Sequence, residues 1–151
     1  MALDISSGTE TLRVHHLECD TSSAALCLIF GEQHHIYTIL SIIVCNVVMD
    51  ASSGNTFDIG IEGFDIQGAG SGQDIMIVQN ASTGANGTFV WNDKFCMNGF
   101  EPTGYTGSMT ASSQADLIAA QGGVRQRLFF RADTNEDDYD VTVTFIDQNN
   151  A

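Results

Sequence analysis

The chain's four histidines stand as two adjacent pairs, His15-His16 and His34-His35. Neighbours on a strand point to opposite faces, so neither pair can close on one metal ion unaided. The His-x-His spacing of a strand-borne metal site is absent. The histidines are therefore expected to be polar strand-end or interface residues. In "ADTNEDDYD", Asp133, Asn135 and Asp137 alternate as the oxygen ligands of a Ca²⁺ loop do. The glycine at the sixth position is replaced by Asp138, and the closing Glu is missing. This stretch reads first as an acidic hairpin tip, with a weak divalent-cation site as its second reading. "GAGSG" lacks the lysine and helix start of a phosphate loop and reads as a flexible hairpin loop. "GSMTASS" offers hydroxyls, but no pairing with His and Asp that would make a nucleophile. Cys19, Cys27, Cys45 and Cys96 are widely spaced without a C-x-x-C pair, and read as reduced, buried small residues. No enzyme and no cofactor is expected.

The elements that would carry these residues are strands. In "TFDIGIE", Phe57, Ile59 and Ile61 face one way and Asp58, Gly60 and Glu62 the other. In "DYDVTVTFI", Tyr139, Val141, Val143 and Phe145 oppose Asp140, Thr142 and Thr144. In "GVRQRLFFR", Val124, Leu128 and Phe130 oppose Arg125, Arg127 and Arg131. Further strands are expected at Thr11–Leu17, Ala24–Phe30, Asp74–Gln79 and Gly87–Trp91, with Gly- and Asn-rich turns between them. The apolar parity shifts after Gly63, which predicts a bulge or corner there. One short helix is expected at about 113–121, with Ser113 as N-cap and Gly122 as stop. The short spacing of Val124–Arg131 and Tyr139–Ile146 predicts a hairpin. On it, Arg125, Arg127 and Arg131 would share a face with Asp138 and Asp140. About eight strands with frequent turns make an all-β protein, an antiparallel β-sandwich or jelly roll with at most one short helix. At 151 residues it is one domain, 11–147, between an N-terminal arm (1–10) and a polar tail (148–151).

The run Ile36–Met49 is apolar on nearly every residue, where a strand with one wet face would alternate. At about 3.3 Å per residue it spans about 45 Å. It is shorter than the ~20 residues a membrane helix needs and contains Thr38, Ser41 and Asn46. Such a strand must be covered on both faces. The sandwich core covers one; a loop or the arm of the same chain, or an identical subunit, covers the other. Ile36, Ile39, Leu40, Ile42, Ile43, Val44 and Val47 are the residues expected to pack between subunits.

Formal net charge is −14, with only Arg13, Lys94, Arg125, Arg127 and Arg131 positive. Such a chain repels nucleic-acid phosphates and anionic membranes, and suits high solubility, a cation-rich setting or a basic protein partner. The start "MALDISSGTETLRV" lacks a basic region followed by an apolar stretch, so no secretion is expected.

The pattern "HHIYTILSIIVCNV", followed by Gly-rich turns and "ADLIAAQGGVRQRLFFRADTNEDDYDVTVTFID", resembles the small jelly-roll capsid decoration (cement) proteins of tailed phages. The resemblance is one of style over most of the chain, without a diagnostic motif. It implies a virion structural protein: a homotrimer on the capsid exterior, made in the host cytoplasm, bridging neighbouring major capsid proteins and reinforcing the shell. Subunit packing would fall to the Ile36–Met49 run. Shell contacts would fall to residues 1–10, with Leu3 and Ile5, and to Arg125, Arg127 and Arg131. Two rivals remain open. One is a trimeric jelly-roll binding module for a receptor or carbohydrate, of the tumour-necrosis-factor-like or fibre-tip kind, using Trp91, Phe100 and Tyr105. The other is a metal enzyme of the cupin kind.

Overall fold

The computed structural model describes residues 9–19, 25–48, 56–65, 72–100, 110, 125–133 and 138–149. Nine strands form there: β1 (Thr9–Cys19), β2 (Leu26–Phe30), β3 (His35–Val48), β4 (Phe57–Asp65), β5 (Gly72–Ala81), β6 (Thr88–Trp91), β7 (Phe95–Asn98), β8 (Arg127–Ala132) and β9 (Asp138–Asn149). No helix occurs among the described residues, and the helix expected at 113–121 lies outside them. Strand pairing reaches two residues into each segment read as arm and tail, since β1 begins at Thr9 and β9 ends at Asn149.

The strands make two antiparallel sheets, so the chain is an all-β sandwich. The first sheet runs β1-β9-β3, and the far edge of β3 is shared by β7 along Ile36–Ile39 and β6 along Ile42–Cys45. The second runs β2-β8-β4-β5. The pairings nest: β1 with β9, β2 with β8, β3 with β6 and β7, β4 with β5. Successive nested pairs fall in opposite sheets.

This topology overturns the expected β8–β9 hairpin. Six residues after Ala132 the chain is already in the other sheet, where β9 pairs with β1 and β3. Both strands have a largely apolar face, and placing them in opposite sheets lets Leu128 and Phe130 meet Tyr139, Val141 and Val143 across the core. The short strand β7 had no signal in the sequence. Its four residues are too few to display alternation, and it is recognised only by docking onto β3.

The bulge expected near Gly63 is present: the β4–β5 register shifts between Ile61 and Phe64, and Gly63 has φ of 98°. A second bulge explains the unbroken apolar run. On β3, Ile39 pairs with Phe145 but Ser41 pairs with Thr144, leaving Leu40 as an extra residue. An added residue reverses which parity faces inward. Tyr37 and Ile39 point into the core before the bulge; Ile42, Val44 and Asn46 do so after it. A strand whose core-facing set changes parity midway reads as apolar on both faces.

The centre of the sandwich is aromatic. Phe57 stacks on Phe130 with centroids 5.5 Å apart and meets Phe89 and Tyr139 edge-on at 5.4 and 5.8 Å. One end is polar. Asp147, nearly buried on the inner face, accepts from Arg13 Nε at 2.8 Å and lies 2.6 Å from His35 Nδ1. Beside it, Tyr37 packs edge-on against Phe145, and its hydroxyl accepts the Glu32 N–H at 3.1 Å.

Burial pushes the Tyr37 phenol from its ordinary value near 10 up to about 12. The Asp147 and Glu32 carboxylates push the same way, while the Glu32 N–H and Arg13 oppose. A folded-state value above the unfolded one means stability is whole below pH 10 and falls as pH rises from about 10 through about 12. Melting temperatures of wild type and Tyr37→Phe should therefore converge across that window. Parallel curves would show that Tyr37 is not the group responsible.

Candidate functional site

The residues singled out from sequence separate into three groups. Ile39, Ile42 and Val44 are fully enclosed by the chain's own core, so they cannot touch a partner. Ile36, Leu40 and Ile43 are half-buried, and Val47 is exposed. Ile36 and Ile43 belong to the sheet's outer face by register.

The arginines are engaged on the second sheet, but not with Asp138 and Asp140, which lie on β9 in the first. Arg127 pairs with Glu62, and Arg131 Nη2 donates to Asp58 Oδ2 at 2.7 Å; both carboxylates are on β4. Arg125 has its guanidinium 4.3 Å from the Phe30 ring centroid and 5.4 Å from that of Phe100. Leu3 and Ile5 lie outside the described residues, as do Asn135 and Asp137 of the acidic loop. Asp133 is exposed, and its N–H donates to Thr56 O at 2.8 Å.

Neither the pocket nor the thiols assemble a reactive centre. A shallow pocket of ≈ 250 Å³ is lined by Asp58, Asn80, Arg131 and Asp133 among others. Its arginine is already neutralised by Asp58, which also accepts the Asn80 N–H at 2.9 Å. No disulfide joins the four cysteines, and only Cys19 is buried; Cys96 is exposed, and Cys27 and Cys45 are intermediate. Burial raises the Cys27 thiol, with Arg127 opposing, so the shift is away from the nucleophilic thiolate.

The distinctive surface is the outer face of the first sheet. Residues paired across antiparallel strands share a face, so the register spells it out row by row. Glu10, Gln148, Ile36 and Asn98 form the first row; Leu12, Ile146, Thr38 and Cys96 the second. Val14, Thr144 and Ser41 form the third. His16, Thr142, Ile43 and Val90 form the fourth, and Glu18, Asp140, Cys45 and Thr88 the fifth. Side-chain contacts agree with this: Thr38 Oγ1 lies 3.4 Å from Cys96 Sγ, and Cys45 Sγ lies 3.4 Å from Thr88 Oγ1.

Acidic residues occur only in the first and last rows. The middle rows hold Leu12, β-branched residues, hydroxyls and a thiol, with His16 the sole titratable group besides Cys96. Leu12, Val14 and Val90 are 66%, 59% and 49% exposed. The three middle rows, across four strands, give a neutral zone of about 14 Å by 15 Å at the usual spacings. In a chain of net charge −14, a neutral zone flanked by acidic rows is a local exception.

Sequence reasoning placed the outward surface on β3 and missed Leu12, Val14 and Val90. A signal was present on β1: "TLRVHHL" has Leu12, Val14 and His16 in one parity and Arg13 and His15 in the other. The polar parity turns inward. Arg13 reaches Asp147, and His15 Nδ1 lies 3.0 Å from Leu28 O in the opposite sheet. Comparison of the chain with protein-family models, with curated proteins and with solved structures finds no match.

Proposed function

We propose that this chain is a structural protein that assembles with copies of itself, as a trimer, through the outer face of the first sheet. So assembled, it would act as a capsid decoration (cement) protein, held by the major capsid protein on the exterior of a tailed-phage virion. The observation that carries the assembly step is the neutral, partly apolar middle of the outer face in an otherwise acidic molecule. Copies of a strongly negative chain repel over most orientations, and a charge-free zone is where they can approach with least like-charge contact. At about 200 Å² the neutral zone is about a quarter of what each partner gives to a standard interface. A single contact of that size is weak. A closed ring holds each copy twice, and three linked copies gain avidity on a three-fold shell.

Three further features support this reading. The nested strand pairing fits a jelly roll, an architecture of viral capsid and lectin domains and of cupins; fold alone does not choose among them. The aromatic platform of the rival carbohydrate-binding reading is weakened. Trp91 pairs with Ile42 on the inner face and packs against the core, and Phe100 lies under Arg125. Tyr105 lies outside the described residues. Among the arginines expected to meet the shell, Arg125 is the one held by rings rather than by a described carboxylate, leaving its charge available to an acidic neighbour.

Sedimentation measures the assembly directly. The wild-type chain should sediment as a trimer, and Val14→Asp with Ile43→Asp should sediment as a folded monomer. On undecorated phage shells, the wild type should co-sediment and the double variant should bind at least tenfold more weakly. A wild-type monomer at the highest reachable concentration overturns the assembly reading, and an oligomer indifferent to capsids overturns the virion role.

A further inference from the structure

The fourth and fifth rows of the outer face bring together three side chains that can each offer a metal-ligand atom. His16 and Glu18 stand two residues apart on β1 and so share a face, and Asp140 on β9 is directly opposite Glu18. One ligand atom from each lies within 4.8 Å of the other two. The His16 ring is oriented by Thr142, whose Oγ1 lies 2.9 Å from Nδ1. With the Nδ1 proton donated to that hydroxyl, Nε2 keeps its lone pair outward.

Electrostatics make the group unusual. Two carboxylates directly opposite on neighbouring strands repel. No described arginine relieves them: Arg13 is bound to Asp147, Arg127 to Glu62, Arg131 to Asp58, and Arg125 lies over Phe30 and Phe100. The lone lysine, Lys94, sits between β6 and β7 at the opposite edge of the sheet.

We propose that His16, Glu18 and Asp140 bind a divalent transition-metal ion of the zinc class. One imidazole and two carboxylates neutralise a 2+ charge, and imidazole favours zinc-like ions over magnesium and calcium, which select all-oxygen sets. Tetrahedral zinc with bonds of about 2.1 Å holds its ligand atoms about 3.4 Å apart. The side chains therefore need to close by no more than about 1.4 Å, within the reach of exposed rotamers on a rigid sheet. Thr142 acts as a positioning residue through its bond to the ring. Three protein ligands leave a position for water or for a group from another molecule. The site does not depend on the assembly reading: a zinc-binding monomer would keep this inference and remove the other.

Calorimetric titration of the chelator-treated full chain with zinc chloride, in excess magnesium, tests it. One saturable site per chain is expected, with affinity reduced at least tenfold in His16→Ala and in Asp140→Asn. Thr142→Val should weaken it by about tenfold or more. Cys27→Ser and Cys96→Ser should leave it unchanged. Without metal, Asp140→Asn should melt at or above wild type, because a repulsion is removed; zinc should raise the melting temperature of the wild type and not that of Asp140→Asn. His16→Gln serves as a second variant should His16→Ala fail to fold. Absence of saturable binding, binding retained in the His16→Ala/Asp140→Asn double variant, or binding lost only with the cysteines overturns the proposal.

Discussion

Phe57→Ala should lower the unfolding free energy by about 3–5 kcal/mol, the range for removing a large aromatic from a packed core. Phe57 is 1% exposed and sits where the two sheets meet. It belongs to the second sheet through β4, yet three rings surround it: Phe130 from its own sheet, and Phe89 and Tyr139 from the first. Each ring pair adds about 0.5–1.5 kcal/mol beyond area burial, so the upper half of the range is expected. Domains of this size have about 5–15 kcal/mol in all, so the variant stands near the threshold of folding. Leu12→Ala and Val90→Ala, on the exposed outer face, should move stability by no more than about 0.5 kcal/mol in the isolated chain. Urea midpoints of the three variants decide the matter. A Phe57→Ala midpoint as close to wild type as those of Leu12→Ala and Val90→Ala would mean that the sheets do not pack as described.

The contrast between Phe57 and Leu12 also marks what can be read from sequence. Period-two alternation, with β-branched and aromatic composition, located seven of the described strands because each buries one face against the other sheet, and burial is what alternation records. It failed on β3 for a physical reason. The bulge at Leu40 exchanges inward and outward parities, so Ile39 and Ile42 both face the core although three residues apart. An apolar run that looked like surplus surface is in large part the chain's own interior. The exposed face that remains draws as much on β1 and β6 as on β3.

Pairing between distant strands was beyond local pattern. The separation of Arg127–Ala132 from Asp138–Asn149 into opposite sheets depends on the nested topology. So does the choice of Asp58 and Glu62, rather than Asp138 and Asp140, as arginine partners. The candidate metal group shows the same division. His16-x-Glu18 is a local, legible spacing on one strand face; Asp140 joins it only through the β1–β9 register.

Gly99→Ala should be as damaging as Phe57→Ala, by a different mechanism. Gly99 follows β7, where the end of β2, the start of β3 and the approach to β8 converge. Its N–H donates to His35 O at 2.8 Å, and its carbonyl accepts the Gln126 N–H at 2.9 Å. Gln126 in turn accepts the Gly31 N–H through its carbonyl at 2.9 Å. A methyl group at Gly99 would run into the Glu32 carbonyl oxygen and come within 2.7 and 2.8 Å of the Glu32 carbonyl carbon and nitrogen. These are backbone atoms, so no side chain can swing aside. Overpacking alone costs about 1–3 kcal/mol. Separating the strands also forfeits the two hydrogen bonds of Gly99, at about 1 kcal/mol each. A loss of about 3–5 kcal/mol is therefore expected. Gly84→Ala supplies the comparison. Gly84 has φ of +69° with nothing near the added carbon, so only the conformational penalty of about 1–2 kcal/mol applies. The seam also holds Glu32 and His35 against Tyr37 and Asp147, so loosening it should bring the Tyr37 phenol back toward its ordinary titration range. Spectrophotometric titration of tyrosine in Gly99→Ala should show that return. Equal stability losses in the two glycine variants would mean that the four segments do not approach as closely as this.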